Sequence, residues 1–151
     1  MLTRDVHTQF GQLFLTQEND AITRVDWGHA PRQDASAVLD EAVRQLQEYD
    51  AGTREVFDLP LHVNGSKLQR DVCDLMFAIP FGFTRTYGEI AKELGVPAQS
   101  IGQACGGNPI PIIIPCHRVM GAKGLTGFSG AGGVETKVAL LLHEKAAGLL
   151  I

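Results

Sequence analysis

Residues 86–119 read TYGEIAKELGVPAQSIGQACGGNPIPIIIPCHRV, and this stretch carries most of the fold prediction. Thr86 and Glu89 have the spacing of a helix capping box, in which each side chain satisfies the other residue's backbone amide. Gly95 suits the left-handed position that ends a helix, and Pro97 suits the first turn of the next one. Two short helices joined by a tight turn with glycine predict a helix-turn-helix.

The second helix of this pair has two faces of different character. The residues that can face inward are Ile101, Ala104 and Cys105. The opposite face carries no charge and no large apolar group, and it consists of Gln99, Gly102, Gln103 and Gly106. Glycine inside a helix costs roughly 1 kcal/mol relative to alanine. We therefore expect a second surface close to this face, either another molecule or the first half of the chain.

A candidate reactive centre follows this helix. Residues 108–111, NPIP, cannot continue it, and residues 112–114, III, predict a short buried strand that leads to Cys116. His117 and Arg118 could lower the thiol pKa from about 8.5 and so raise the fraction of nucleophilic thiolate. Neighbouring residues in a strand point to opposite faces, so the spacing alone leaves open whether His117 contacts Cys116.

Six glycines lie in residues 121–133, around Phe128 and Ser129. Such a backbone can approach a ligand closely, but it lacks the Lys-Ser/Thr ending of a phosphate-binding loop. A last helix is predicted after it, with Val134, Val138, Leu141, Leu142 and Lys145. Glu144, near the end of this helix, is a candidate to orient a histidine, as carboxylates do beside nucleophile–base pairs.

The first half, residues 1–65, predicts a small mixed α/β unit. Leu13–Leu15 and Ile22–Trp27 are strand candidates joined by turn residues, which favours a hairpin. A helix is expected after Asp34 as its N-cap, with an apolar stripe that ends at a tyrosine. Apolar residues alternate over 57–61, as in a half-buried strand. No catalytic pattern is visible in this half.

A domain boundary is expected near residues 63–65, which separates residues 1–65 from residues 66–151. Ser66 and Gln69 then predict another capping box, at the start of a helix. The first unit carries a net charge of -6 and the second +2, which indicates different tasks. A value of +2 is too small to indicate a nucleic-acid partner by itself.

Composition excludes several classes of protein. Apolar residues make up 44% and charged residues 20%, which is typical of a folded domain that buries a core. Three cysteines, an odd number at unrelated spacings, argue against a disulfide framework and against a cysteine-rich zinc site. With no apolar stretch long enough for a membrane helix or a signal peptide, we expect an intracellular protein without a membrane partner.

Several of these motifs together resemble the O6-alkylguanine-DNA alkyltransferases, also called methylated-DNA–protein-cysteine methyltransferases. The resemblance runs from Leu68 to Glu144 and depends most on Pro115-Cys116-His117-Arg118-Val119. The other matching motifs are Thr86 to Ala91, Asn108-Pro109, Gly127 to Gly130, and Leu141 to Glu144. It implies an α/β (α+β) fold, with a small RNase H-like unit first and a winged helix-turn-helix-like unit second.

The resemblance implies DNA repair by direct reversal. The alkyl group of O6-alkylguanine, and in addition that of O4-alkylthymine, would pass once and irreversibly to Cys116 after the base flips out through the minor groove. His117 would take the thiol proton through a water, Glu144 would orient the imidazole, and Tyr87 would donate to the guanine ring. The partner would be double-stranded DNA containing O6-alkylguanine, with no metal or cofactor. A monomer in the cytoplasm is expected, associated with the nucleoid in a bacterium.

The implied DNA and base contacts come mostly from the second helix and the two loops around the cysteine. They are Gln99, Gly102, Gln103, Asn108, Arg118, Val119, Phe128 and Ser129. Asn108 would act as a hinge between helix and cysteine, and Arg118 would tie the site to its scaffold. Gln99 stands where the family usually has the arginine that fills the gap left by the flipped base, and Phe128 stands where a tyrosine is common.

Three other functions compete with repair. A damage sensor of the alkyltransferase-like kind would bind the lesion without transfer, and the Gln99 departure favours this alternative although Cys116 is present. A Cys-His hydrolase or redox enzyme would need turnover, and no signature of those families is visible. A regulator that signals through alkylated Cys116 is not separated from repair by the sequence.

Overall fold

The computed structural model describes residues 1–121 and 133–146 of the chain. Its elements in order are β1 (Leu2–Thr8), β2 (Gly11–Glu18), β3 (Ala21–Trp27), α1 (Ala37–Asp50), α2 (Lys67–Phe77), β4 (Arg85–Thr86), α3 (Tyr87–Leu94), α4 (Ala98–Gly106), a one-turn 3₁₀ helix (Cys116–Arg118), β5 (Val119–Met120) and α5 (Val134–His143). The expected α/β class is confirmed. No helix in this part of the chain is long and apolar enough to cross a membrane.

The first half is an antiparallel sheet of order β1-β2-β3 with α1 against it. The predicted hairpin is confirmed as β2 and β3, and its turn places Asn19 at a φ of +55°, which asparagine tolerates. The N-cap of α1 is Ser36, whose hydroxyl accepts a 3.0 Å hydrogen bond from the Leu39 amide. The prediction of Asp34 as N-cap is wrong, because its carboxylate accepts instead from the Thr3 amide at 2.9 Å.

The strand expected over residues 57–61 is absent. This segment makes a single parallel bridge, between Leu61 and Ile22, where it passes along β3. Pro60 lacks an amide hydrogen and cannot donate to a ladder, although its carbonyl accepts from the Ile22 amide at 2.8 Å. Alternating apolar residues here mark burial against the core without a strand.

The second half contains the predicted helix-turn-helix as α3 and α4. Both hydrogen bonds of the Thr86–Glu89 capping box form, and Gly95 ends α3 at a φ of +68°. Pro97 is the N-cap of α4, one position earlier than expected. At the start of α2 the capping box forms only in part, because Gln69 donates its side-chain amide to the Ala104 carbonyl at the end of α4.

The strand predicted over residues 112–114 is also wrong. These isoleucines are buried, but they lie in consecutive turns that lead into the 3₁₀ helix. The Ile114 amide donates to the Ile110 carbonyl at 2.9 Å, and Ile112 has a φ of +70°. Prolines at 109, 111 and 115 remove three of the four amide donors at alternate positions 109–115, and the remaining one, of Ile113, donates to the Pro111 carbonyl within the segment. The segment therefore closes on itself rather than pairing with another strand.

The two halves share one hydrophobic core. The Val25 amide of β3 donates to the Pro109 carbonyl at 3.0 Å. Tyr49, at the end of α1, packs against Phe10 and His143, with ring centroids 6.1 and 4.9 Å away. The end of α5 therefore lies directly against the first half of the chain.

Candidate active site

Cys116 is the first residue of the 3₁₀ helix, and 3% of its surface is exposed. Burial raises the pKa of its thiol to about 11, against the opposing effects of the Asn108 side chain and the Lys137 ammonium. The expectation that His117 and Arg118 lower this pKa is therefore wrong for the free protein. The thiol is protonated at neutral pH, and an acceptor for its proton is needed before it can act as a nucleophile.

Asn108 joins the end of α4 to the cysteine segment. Its side-chain amide donates to the Ile114 carbonyl at 2.8 Å, and its oxygen accepts from the Ile110 amide at 3.0 Å. The same oxygen lies 4.0 Å from the Cys73 sulfur, and the Asn108 side chain also interacts with Cys116. Because one buried side chain bonds the backbone at both Ile110 and Ile114, it holds the segment between α4 and Cys116 in place.

His117, which follows Cys116 in the chain, forms a buried pair with Glu144. Nε2 of His117 lies 2.7 Å from Oε2 of Glu144, and both side chains are fully enclosed. Burial lowers the pKa of His117, although the carboxylate opposes this effect. Burial would raise the pKa of Glu144, but hydrogen bonds from His117 and Arg118 lower it to about 2. At neutral pH the pair is a neutral imidazole on an ionised carboxylate.

The other imidazole nitrogen is available for a proton. Nδ1 of His117 is buried and has no hydrogen-bond partner within the described ranges. Since Nε2 donates to Glu144, Nδ1 is the nitrogen that accepts. His117 therefore has an orienting carboxylate and a free acceptor nitrogen, and it is next in sequence to the candidate nucleophile Cys116; these are the groups that nucleophilic catalysis requires.

Arg118 points into the protein. Its guanidinium donates to both oxygens of Glu144, at 2.8 and 3.0 Å, and to the Ile79 carbonyl at 2.6 Å. This placement fits the scaffold role given to Arg118 in the sequence interpretation, and it leaves the side chain 5% exposed for the base contact also assigned to it. Val119 is fully buried, and its carbonyl accepts a hydrogen bond from Lys137.

Tyr49 belongs to this site, although sequence reasoning found no functional residue in the first half. Its hydroxyl donates a 2.6 Å hydrogen bond to Oε2 of Glu144, 95 positions along the chain. In the sequence Tyr49 is only the last apolar position of a helical stripe. The one signal that could have singled it out is its hydroxyl, because a buried phenol needs a hydrogen-bond partner.

Lys137 is the second residue that sequence reasoning missed. It is 1% exposed in α5, and its ammonium donates to the Val119 carbonyl at 2.6 Å. The ammonium lies 5.7 Å from the ring centroid of Tyr87 and acts electrostatically on Cys116. Tyr87, the first residue of α3, is half-buried on the same side. The available signal in the sequence was a lysine at helical spacing between apolar residues, a position that is usually buried.

The outer face of α4 is exposed as expected. The residues on it are Gln99, Gly102, Gln103 and Gly106. A Cβ atom added to Gly102 or Gly106 would meet nothing within 4 Å. The alternative that α4 packs this face on the first half of the chain is therefore excluded.

Phe128 and Ser129 lie outside the described residues. In the described part of the chain, no group of three or more His, Cys, Asp or Glu side chains is arranged to hold a metal ion. All three cysteines are free and buried.

Comparison with known proteins agrees with these observations. Residues 67–146 match the family model described as 6-O-methylguanine DNA methyltransferase, DNA binding domain. A methylated-DNA–protein-cysteine methyltransferase of Mycolicibacterium paratuberculosis is 45% identical over 126 residues, which cover 82% of this chain and 72% of that protein. The constitutive enzyme of Bacillus subtilis with the same name is 39% identical over 152 residues, covering 91% and 92%.

The chain belongs to the 6-O-methylguanine DNA methyltransferase family. Among solved members, the Mycobacterium tuberculosis O6-methylguanine methyltransferase has a TM-score of 0.85 at 38% identity, with 95% of this chain and 92% of that chain covered. The M. tuberculosis OGT structure in complex with DNA has a TM-score of 0.86 at 38% identity and covers 99% and 98%. The methyltransferase likeness therefore includes the first half of the chain.

Proposed function

We propose that this protein repairs DNA by direct reversal, as a methyltransferase that moves the alkyl group of O6-alkylguanine to its own Cys116. The observation that carries the proposal is the 2.7 Å contact between Glu144 and His117, the residue that follows the buried Cys116, in a chain of this family. O4-alkylthymine, which presents a similar alkyl carbon, is included as a further substrate.

The reaction begins with the thiol proton. His117 Nδ1 takes it, through one water, and Glu144 stabilises the imidazolium that forms. The thiolate then attacks the alkyl carbon in line, so an S–C bond forms as the C–O6 bond breaks and its electron pair passes to the purine. The thioether product is not readily hydrolysed, so each molecule reacts once.

The leaving purine needs a proton or a positive charge nearby. In this proposal Tyr87 donates to the guanine ring, and Lys137, whose ammonium lies 5.7 Å from the ring of Tyr87, contributes a positive charge. A preorganised charge in a dry site is worth more than one in water, since no solvent has to reorganise. The backbone of Val119 supports the flipped base.

DNA is the partner, and α4 is the surface that we propose enters its minor groove. The small, uncharged outer residues of α4 permit close approach of a duplex, and the open space around Gly102 supports this role. Gln99 occupies the position where the family usually has the arginine that fills the gap left by the flipped base. The net charge of +2 over residues 66–151 indicates modest affinity without sequence preference.

We further propose a division into domains at residues 1–65 and 66–151, and a cytoplasmic monomer associated with the nucleoid in a bacterium. Three free, buried thiols are consistent with a reducing compartment.

Intact-mass measurement after mixing with an O6-methylguanine oligonucleotide tests the proposal. We expect a gain of one methyl group in the wild type and none in Cys116→Ala. Cys105→Ala, which removes another buried thiol of the core, is the matched control and should still gain the methyl.

An unchanged mass in the wild type, with retained affinity for the lesion, would contradict repair and favour the damage-sensing alternative. Gain of the methyl by Cys116→Ala would assign the acceptor elsewhere in the chain.

A further inference from the structure

We propose that Tyr49, from the first half of the chain, is a positioning residue that sets both the orientation and the basicity of His117 through Glu144. The proposal rests on the proposed function, because it gives His117 the role of proton acceptor. It makes the first half a direct participant in the reactivity of Cys116.

The phenol of Tyr49 is held rigidly. Its ring is packed by four other rings at centroid distances of 4.9 to 6.3 Å: Phe10, Phe57, Phe81 and His143. The Tyr49 carbonyl also lies 2.6 Å from Nε2 of His143 and accepts from it, which ties α1 to the last turn of α5. Side chain and backbone of one residue thus fix the helix end that presents Glu144.

Tyr49 and His117 use the same carboxylate oxygen. Oε2 of Glu144 accepts from the Tyr49 hydroxyl at 2.6 Å, from His117 Nε2 at 2.7 Å and from Arg118 Nη2 at 3.0 Å. The direction of the first bond is not ambiguous, since burial beside the carboxylate raises the pKa of Tyr49 and its proton stays on the phenol. Each donor withdraws negative charge that would otherwise stabilise the imidazolium of His117.

The charged and titratable groups that face this carboxylate come from three elements. Tyr49 approaches from α1, with Asp50 next to it, and His117 and Arg118 approach from the 3₁₀ helix. Lys137 acts on His117 from α5 and lowers its pKa together with Arg118. Of the groups named here, His117 and Arg118 share Oε2 with Tyr49, and His117 is the one that must take up a proton in the reaction, so the loss of the hydroxyl is followed on His117.

Tyr49→Phe removes the hydroxyl and keeps the ring. Without this donor, Oε2 interacts more strongly with His117, so the pKa of the imidazolium rises. The rate of alkyl transfer falls when His117 is protonated, and we expect the midpoint of this acid limb to move up by about one pH unit. The measurement is the rate of transfer from an O6-methylguanine oligonucleotide, in large excess over protein, between pH 5 and pH 9.

Thr23→Val is the matched control, because it deletes a buried hydroxyl of the same half that has no hydrogen-bond partner in the described structure. We expect it to leave the midpoint unchanged. A lower rate for Tyr49→Phe at every pH, with an unmoved midpoint, would mean that Tyr49 acts only in packing and would overturn the proposal.

Nitrogen-detected NMR of the His117 imidazole supplies a readout that is independent of alkyl transfer. In Tyr49→Phe we expect its titration to move to higher pH than in the wild type. If the wild type takes up no methyl group, the proposed function fails while this titration still tests the coupling. If the wild type reacts and the His117 titration is the same in both proteins, the coupling alone fails.

Discussion

Arg118 and Glu144 form a buried bidentate ion pair, in which Nε of Arg118 lies 2.8 Å from Oε1 of Glu144 and Nη2 lies 3.0 Å from Oε2. The remaining Nη1 donates to the Ile79 carbonyl after α2. The pair therefore links the cysteine segment, the end of α5 and the end of α2. The carboxylate that orients His117 is also a structural centre of the second half.

Arg118→Met leaves the Glu144 carboxylate buried with two of its four donors gone. We expect the free energy of unfolding to fall by about 3 to 5 kcal/mol, which urea denaturation measures. Arg44→Met, which breaks exposed pairs on α1, should cost far less, because solvent screens such pairs. Equal losses in the two variants would contradict the central role of the buried pair.

Stability should decrease on acidification in two steps. The folded pKa of His117 is lowered, so the unfolded state binds more protons once the pH falls below about 6.5. Glu144 has a folded pKa of about 2, so its contribution is present above the unfolded value near 4.5 and is lost between there and about 2. At about 1.4 kcal/mol per unit, the Glu144 step is on the order of 3 kcal/mol. Urea midpoints measured from pH 8 to pH 3 check both steps, and a flat profile would contradict them.

Lys137→Met removes a buried charge and keeps the length of the side chain. The thiolate of Cys116 loses a favourable neighbour, so we expect alkyl transfer to slow by about tenfold, from an electrostatic contribution of about 1 to 2 kcal/mol. The free energy of unfolding should change by less than about 2 kcal/mol, because the lost desolvation cost of the ammonium offsets the lost hydrogen bond to the Val119 carbonyl. A large loss of stability would make the lysine structural, and its rate effect indirect.

Gln99→Arg tests how this chain fills the duplex after base flipping. We expect faster reaction with O6-methylguanine in a duplex and an almost unchanged rate with free O6-benzylguanine, because a flipped base leaves a gap only in the duplex. Gln47→Arg, on the exposed side of α1, controls for the added charge. Equal acceleration with both substrates would count against a role in the gap.

Gly102→Ala separates the needs of the helix from those of DNA. A Cβ at this position meets no protein atom within 4 Å, so alanine should stabilise the free protein by up to about 1 kcal/mol. Duplex affinity should decrease in the same variant if the backbone of α4 approaches DNA closely. Thermal unfolding and fluorescence anisotropy measure the two quantities, and unchanged affinity would place the duplex elsewhere.

Sequence patterns of a few neighbouring residues correctly predicted the elements whose hydrogen bonds form between residues close in the chain. The Thr86–Glu89 capping box, the Gly95 turn and the β2–β3 hairpin all follow from neighbouring residues, and the structure confirms them. The prediction of a strand at residues 112–114 failed because a buried turn and a buried strand have the same apolar sequence pattern. The surrounding prolines favour the turn.

The candidate site was predictable only where its residues are close in sequence or share a family motif. Cys116 and His117 are neighbours, and Glu144 follows a recognisable helix. Tyr49 was not predictable, since its hydroxyl reaches Glu144 only after the two halves have packed together. Lys137 was missed because a lysine within an apolar pattern is usually exposed. Here its ammonium is buried and donates a hydrogen bond to the Val119 carbonyl.

The hydrogen bond between Tyr49 and Glu144 also limits how far this protein can be shortened. A fragment that begins at residue 66 would lack the phenol that donates to Glu144 and would uncover the aromatic surface around His143. Such a fragment would need another hydrogen-bond donor to Glu144, introduced on one of its own helices. The aromatic residues that become exposed to solvent would also have to be replaced by polar ones.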